Sequence, residues 1–384
     1  VRGTWGQVGN SQISGRRFAY LATVTDSSST SYTFGKNMDQ NYGTTAIDEY
    51  AVDVTWEVAD KTDIGVDMRL LNNKLNLQFD YFKESREGIY LRRSSIPSYV
   101  GMINNPYGNI GKVENKGFEL SVNYANSWGG DWSLSLMGNY SFNRNKVLED
   151  DSTVAYPWQN TIGNKVGQRF GLVALGLFES YGEIAASPVQ TGDTRPGDIK
   201  YKDINGDGKI DEYDKVPIGW GSVPEIMYGF GFSVGWKNLS LTAMFQGAAH
   251  VDAMLSGEGV LPFSQGSSRG NLLSNITDRW TEENPRQNAF YPRLSIGNIN
   301  MNYEESTWWL KDTDYLRLKN IELSYRLPDH WMKRIHLDNA RIFIQGVNLL
   351  TFSSFKIWDV ELGDGRGARY PNIASVSLGV NFNF

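Results

Sequence analysis

Apolar and polar residues alternate along much of this chain in stretches of about ten residues, the length over which a tilted strand crosses a bilayer. In 74–82, Leu75, Leu77, Phe79 and Tyr81 share one face, and Asn76, Gln78 and Asp80 share the other. In 118–124, Phe118, Leu120, Val122 and Tyr124 alternate with Glu119, Ser121 and Asn123. In 132–143, Trp132, Leu134, Leu136, Tyr140 and Phe142 oppose Ser133, Ser135, Asn139 and Asn143. Phe230, Phe232, Val234 and Trp236 stand against Gly229, Gly231, Ser233 and Gly235, and Ile321, Leu323 and Tyr325 against Asn320, Glu322 and Ser324. The closing stretch sets Val376, Leu378, Val380, Phe382 and Phe384 against Ser375, Ser377, Asn381 and Asn383. The pattern predicts eleven strands, at 1–9, 14–26, 53–71, 74–91, 114–127, 131–144, 223–236, 239–249, 314–327, 340–352 and 372–384.

Alternation alone also suits a soluble sandwich with one dry and one wet face. The connections separate the two readings. Those after the odd strands are short, at 10–13, 72–73, 128–130, 237–238 and 328–339. Those after the even strands are long, at 27–52, 92–113, 145–222, 250–313 and 353–371. Structureless connections of this length are uncommon in compact soluble domains, whereas outer-membrane barrels have short periplasmic turns and longer outer loops. The expected fold is therefore all-β, a transmembrane antiparallel barrel. The apolar run 170–178 (FGLVALGLF) belongs inside the long loop 145–222, because one more membrane strand there would reverse every later turn. The stretch 275–284 (NITDRWTEEN), closed by Pro285, reads as a short helix in an outer loop. Bacterial barrels have even strand numbers and close on themselves, so eleven strands are an incomplete set. The remainder is expected before Val1, since Phe384 ends an aromatic, alternating strand of the kind that directs barrel assembly.

Composition agrees with this reading. The 384 residues have a mean hydropathy of −0.42, as barrel strands do when half their side chains are polar. No run approaches the roughly 18 apolar residues of a membrane helix. Aromatics reach 13%, with 12 Trp and 20 Tyr, and suit interfacial girdles. Net charge is −6 with no basic stripe, which disfavours nucleic acid. The chain has no cysteine and no leader-like start.

Several stretches then resemble the SusC/RagA family of TonB-dependent outer-membrane transporters, in family order. They are 55–91 (TWEVADKTDIGVDMRLLNNKLNLQFDYFKESREGIYL), 115–123 (NKGFELSVN), 197–219 (GDIKYKDINGDGKIDEYDKVPIG), 316–327 (LRLKNIELSYRL) and 346–352 (GVNLLTF). The resemblance covers essentially the whole chain and corresponds to the C-terminal part of a transporter, about half of a barrel of roughly 22 strands. It implies outer-membrane location in a Gram-negative bacterium of the Bacteroidetes type. It further implies import of glycans or oligopeptides, a SusD-like lipoprotein lid, and energy from TonB through a plug that this chain does not contain.

The sharpest chemistry lies in 203–214. Asp203, Asn205, Asp207, Asp211 and Asp214 stand at positions 1, 3, 5, 9 and 12 of an EF-hand-like loop, Lys209 would give its carbonyl at position 7, and Gly208 permits the turn. This set suits a hard cation, Ca²⁺ or else Mg²⁺, in a structural role; the plain reading is an acidic, solvated turn. Enzyme signals are weak. His330 and His336 fall in a predicted periplasmic turn, Glu304 and Glu305 in a loop, and the glycine-rich 363–369 (GDGRGAR) lacks a strand-to-helix setting. Trp220, Trp308, Trp309 and Trp358 lie in outer loops and are candidate contacts for sugar or peptide, or else anchors at the lipid rim or docking points for a lid lipoprotein. Two other functions fit the same strands: a secreted adhesive or structural β-protein with calcium-stiffened loops, and a passive porin.

Overall fold

A computed structural model of the chain describes all residues except 12–17, 39, 101, 103, 265–271, 298, 335, 336 and 384. Ten strands form one antiparallel sheet, each beside its neighbour in sequence. They are β1 (Arg2–Asn10), β2 (Glu57–Leu70), β3 (Leu75–Arg92), β4 (Tyr107–Trp128), β5 (Trp132–Glu149), β6 (Ile226–Trp236), β7 (Leu239–Ala249), β8 (Tyr315–Arg326), β9 (Asn339–Ser353) and β10 (Ser375–Asn383). Among the described residues the sheet is open: β1 pairs with β2 alone, and β10 with β9 alone.

One predicted strand is not in the sheet. Of the segment 14–26, residues 14–17 lie outside the described part, and Thr23–Phe34 instead pairs with Gln40–Glu49 as a separate hairpin. Its TVTDSSSTSYTF sequence lacks the sustained run of Leu, Phe and Trp on one face that the sheet strands carry. β1 pairs directly with β2, Arg2 opposite Gly65 and Asn10 opposite Glu57. The long connection therefore follows β1, at 11–56, and β1 runs opposite to the predicted direction. The alternation survives: turns at 71–74, 129–131, 237–238 and 327–338 are short, and those at 93–106, 150–225, 250–314 and 354–374 are longer. β4 also begins at Tyr107 rather than at 114. Its 22 residues extend about 70 Å at 3.3 Å each, far more than about 30 Å of hydrocarbon requires, so β3 and β4 project beyond the membrane as an arm. Phe384 and His336 lie outside the described residues.

Register turns the alternation into a surface. Leu77, Val122, Gly138, Phe230 and Phe245 stand side by side across five strands. Near the short turns, Trp128, Trp132, Trp236, Leu239, Tyr325, Ile342 and Val380 form the last row of the same face. All are exposed in the chain, with the Trp132 and Trp236 rings 6.0 Å apart. An exposed apolar band ending in a row of aromatics is what lipid contact selects. The opposite face is polar: Gln78, Asp80, Glu119, Ser121, Asn139 and Ser141 line a hollow of about 220 Å³. Arg2 pairs there with Asp67 at 2.5 Å and also with Asp80.

Candidate functional site at the loop end

The core of the molecule lies in the long loops. Leu172, Leu177 and Ile199 of the 150–225 loop pack with Leu255, Tyr291 and Trp309 of the 250–314 loop, and Phe355 and Val360 of the 354–374 loop join them. The run 170–178 is part of this core, as short strands: Arg169–Gly171 pairs with Val216–Ile218, and Ala174–Leu177 with Ile199–Tyr201. The stretch 275–284 is not a helix of its full length. It makes one 3₁₀ turn, Ser274–Thr277, because Trp280 leaves the helical path to sit in the core and bond Tyr291. Gly197 is required beneath that ring: its φ is +88°, and a Cβ there would meet Trp280 at 2.1 Å.

Three buried ionic knots tie the loops together. Asp198, 1% exposed, accepts both arms of Arg293 at 2.9 Å, the Asn300 and Asn302 amides at 3.1 and 2.8 Å, and the Arg195 N–H at 2.8 Å. It joins the first loop to the second. Arg169 donates to Asp252 at 3.2 Å and to Asp364 at 2.7 Å, joining all three. Arg317, on the polar face of β8 and 2% exposed, reaches Asp359 at 2.8 Å and Glu361 at 3.1 Å. This third knot draws the last loop toward the inner side of the sheet. Burial alone would raise the Asp359 carboxyl, but Arg317 and the Glu361 N–H outweigh it and hold it below the ordinary range. None of these partners stood out in the sequence. Arg317 occupied an ordinary polar position of an alternating strand, and Asp198 one acid among many.

Next to this core, Thr191, Gly192, Asp211, Glu212, Asn300 and Tyr303 help line a cavity of about 350 Å³. Burial pushes the Tyr303 hydroxyl up to about 12 and the Lys311 ammonium down, so the cavity's phenol stays protonated in any physiological medium.

The four tryptophans have separate fates. Trp309 is 1% exposed, its indole N–H bonded to the Asn302 carbonyl at 2.7 Å. It is a core residue, and the expectation of a substrate contact there is corrected: no face of the ring is open. Trp308 is half-buried and donates to the Phe290 carbonyl at 3.2 Å. Trp358 is half-buried, edge-on to Phe355 and close over Gly367. Trp220 is exposed and lies flat on His250, ring centres 4.0 Å apart. Its other neighbours are Lys165 and Arg144, and Arg144 also covers Phe142 of the apolar face. Trp220 therefore stands at the outer edge of the lipid-facing side, the rim position weighed against substrate contact. The buried Glu225 anchors this corner through Arg144 at 2.6 Å, Lys165 at 3.2 Å and His250 at 3.1 Å.

The 203–214 loop is closed by its own main chain. Asp203 accepts the Gly206 and Gly208 N–H groups at 2.6 and 2.9 Å. Asp214, fully buried, accepts those of Ile204 and Asp211. Asn205 and Asp207 each accept an N–H two residues on, and the Lys209 ammonium lies 2.8 Å from Asp211 and 3.6 Å from Asp207. Among the described residues, no three His, Cys, Asp or Glu side chains converge on one point.

An open sheet with one greasy and one polar face, capped by clamped loops, is a piece of a membrane barrel. The comparisons agree. A family model described as TonB dependent receptor-like, beta-barrel, matches residues 22–349. The chain belongs to the TonB-dependent receptor β-barrel family. This receptor barrel is 27% identical over 377 residues to TonB-dependent receptor P3 of Formosa agariphila, covering 90% of this chain and 36% of that protein. It is 25% identical over 398 residues to TonB-dependent receptor SusC of Bacteroides thetaiotaomicron, covering 99% of this chain and 37% of SusC. The solved RagAB peptide transporter has the same fold, with a TM-score of 0.71 at 21% identity over all of this chain and 40% of that one. The receptor barrel thus spans well under half the length of the relatives it matches. The family places it in the outer membrane, and barrels of that kind turn their short connections to the periplasm and their long loops outward. Membership and the exposed apolar band together displace the secreted adhesive reading.

Proposed function

We propose that this chain is the wall and extracellular loop body of a TonB-energised importer of glycans or oligopeptides, with further strands and a plug completing the barrel and a SusD-like lipoprotein covering its outer face. One observation carries the reading. Loops of this length are not loose: Asp198, Arg169 and Arg317 fasten three of them into one body, and Arg317 fixes it to the polar side of the sheet. A rigid body at the mouth offers a preformed surface to a substrate or a lid. Trp308 and Trp358 are the aromatic candidates on it, and Trp220 is the rim anchor. The RagAB structures are of a peptide transporter, and the name SusC specifies no substrate, so substrate class is decided by measurement. The whole receptor is expressed in cells with and without TonB, and uptake of labelled oligosaccharides and oligopeptides is followed. Import that stops without TonB and fails in W308A/W358A supports the reading. Uptake indifferent to TonB makes the protein a passive porin.

The 203–214 loop has a place in the same proposal. A Ca²⁺ ion there would stiffen the first long loop, using the oxygens of Asp203, Asn205, Asp207, Asp211 and Asp214 and the carbonyl of Lys209, once the Lys209 ammonium swings out.

A further inference from the structure

The lipid-facing side carries a row of cations just beyond its apolar band. Lys83 of β3 is directly opposite Lys116 of β4, and Lys116 is directly opposite Arg144 of β5. The next row toward the short turns is Tyr81, Phe118 and Phe142, at the same positions on the same strands. Phe118 and Phe142 are 5.8 Å apart, and Arg144 lies over Phe142 at 5.5 Å. The charges are not folded away: the three side chains are 50%, 57% and 47% exposed.

Like charges placed directly opposite one another destabilise a sheet, and here the protein supplies little to offset them. Glu114 serves two, at 2.7 Å from Lys83 and 3.5 Å from Lys116, and Lys146 is directly opposite Glu114. Arg144 shares the buried Glu225 with Lys165. The row is left with a surplus of positive charge, pointed outward, one residue pair above the aromatics that mark the end of hydrocarbon. That is the depth of lipid head groups on the extracellular leaflet.

We propose that Lys83, Lys116 and Arg144 form a binding site for the phosphate groups of an outer-leaflet glycolipid, whose acyl chains lie along Tyr81, Phe118 and Phe142. Phosphate matches the site in charge, and its oxygens reach two neighbouring strands at once, which a carboxylate does less well. The lipid would lock β3, β4 and β5 together where they leave the membrane. Trp220, stacked on His250 beside Arg144, borders the same head-group layer.

The test uses the whole receptor in phosphatidylcholine nanodiscs, doped with bis-phosphorylated lipid A or with its dephosphorylated counterpart. The variant is K83Q/K116Q, which leaves the Arg144–Glu225 pair intact. Retained lipid is counted by native mass spectrometry, and affinity is read by titration. Wild type is expected to prefer the phosphorylated lipid, and the variant to bind it roughly thirtyfold more weakly, the worth of two cations at an anionic surface. Raised salt should narrow the difference. Uptake by the variant should stay normal, which separates this site from the transport reading. Equal binding of the phosphorylated lipid by both proteins overturns the proposal, as does a wild type indifferent to the phosphates.

Discussion

Asp198 shows how much of the loop body hangs on one side chain. Five donors converge on a carboxylate with almost no access to water. Replacing it by Asn keeps the shape but leaves Arg293 without its counter-charge. Breaking one side of such a pair costs about 3 kcal/mol, so Asp198→Asn should lower the unfolding midpoint of the loops while the sheet stays intact. Differential scanning calorimetry, with tryptophan fluorescence reporting Trp280 and Trp309, reads the two separately. Adding Arg293→Gln should restore part of the loss, and failure to do so would mean the pair is not coupled. Asp359 gives a pH dependence of definite sign. Its folded carboxyl lies below the ordinary value of 3.8, so the Arg317 contact is fully present above that value. It is lost as pH falls through the lowered folded one. Loop unfolding followed from about pH 5 downward, through the range in which carboxyls titrate, should steepen in wild type and flatten in D359N. Gly197→Ala probes the backbone instead: a methyl at φ +88° beneath Trp280 combines strain and collision, and about 2 kcal/mol or more should be lost.

At the scale of elements, the strands were legible because lipid and water impose period two on every residue between them. β7 matches its predicted bounds, and β3, β8 and β9 fall within a residue or so of theirs. What failed lacked that constraint. The 23–34 strand answers only to its hairpin partner, and the start of β4 at Tyr107 lies beyond the membrane, where no alternation is enforced. The loop core was invisible for the same reason: its short strands of two to four residues are held by contacts far apart in sequence. The burial of Trp309 and not Trp308 is decided by packing alone. The 203–214 loop was legible as a pattern of oxygens but not as a geometry, since the same carboxylates suit main-chain N–H groups. If it takes calcium, the ion must compete with those bonds and with Lys209. Calcium at a hundredfold over its Kd should then stabilise the loops by about 2.7 kcal/mol, Asp203→Asn should abolish the effect, and Lys209→Met should tighten binding. Calorimetry with calcium against a chelator decides it, and identical traces would leave the loop an acidic turn.

Seen whole, the sheet has two free edges and a face meant for hydrocarbon, and these cannot both be satisfied in the chain alone. Among the described residues, β1 and β10, nine residues each, are paired into the sheet along one side only. In a bilayer each unpaired N–H or C=O group costs several kcal/mol, and spanning sheets are therefore closed. A sheet that corresponds to 40% of the RagAB transporter chain and already has its own register throughout needs strands between β10 and β1, not a rearrangement of its own. The whole receptor should consequently run as a compact, heat-modifiable barrel on cold gel electrophoresis. The 384-residue chain expressed by itself in detergent should not, and refolding it with the separately produced remainder should recover the compact band. A compact, protease-resistant barrel formed by the chain alone would mean that β1 can close onto β10. In that case the inner space would shrink to that of a ten-stranded barrel, too narrow for a plug, and import of a glycan or peptide through this wall would lose its physical basis.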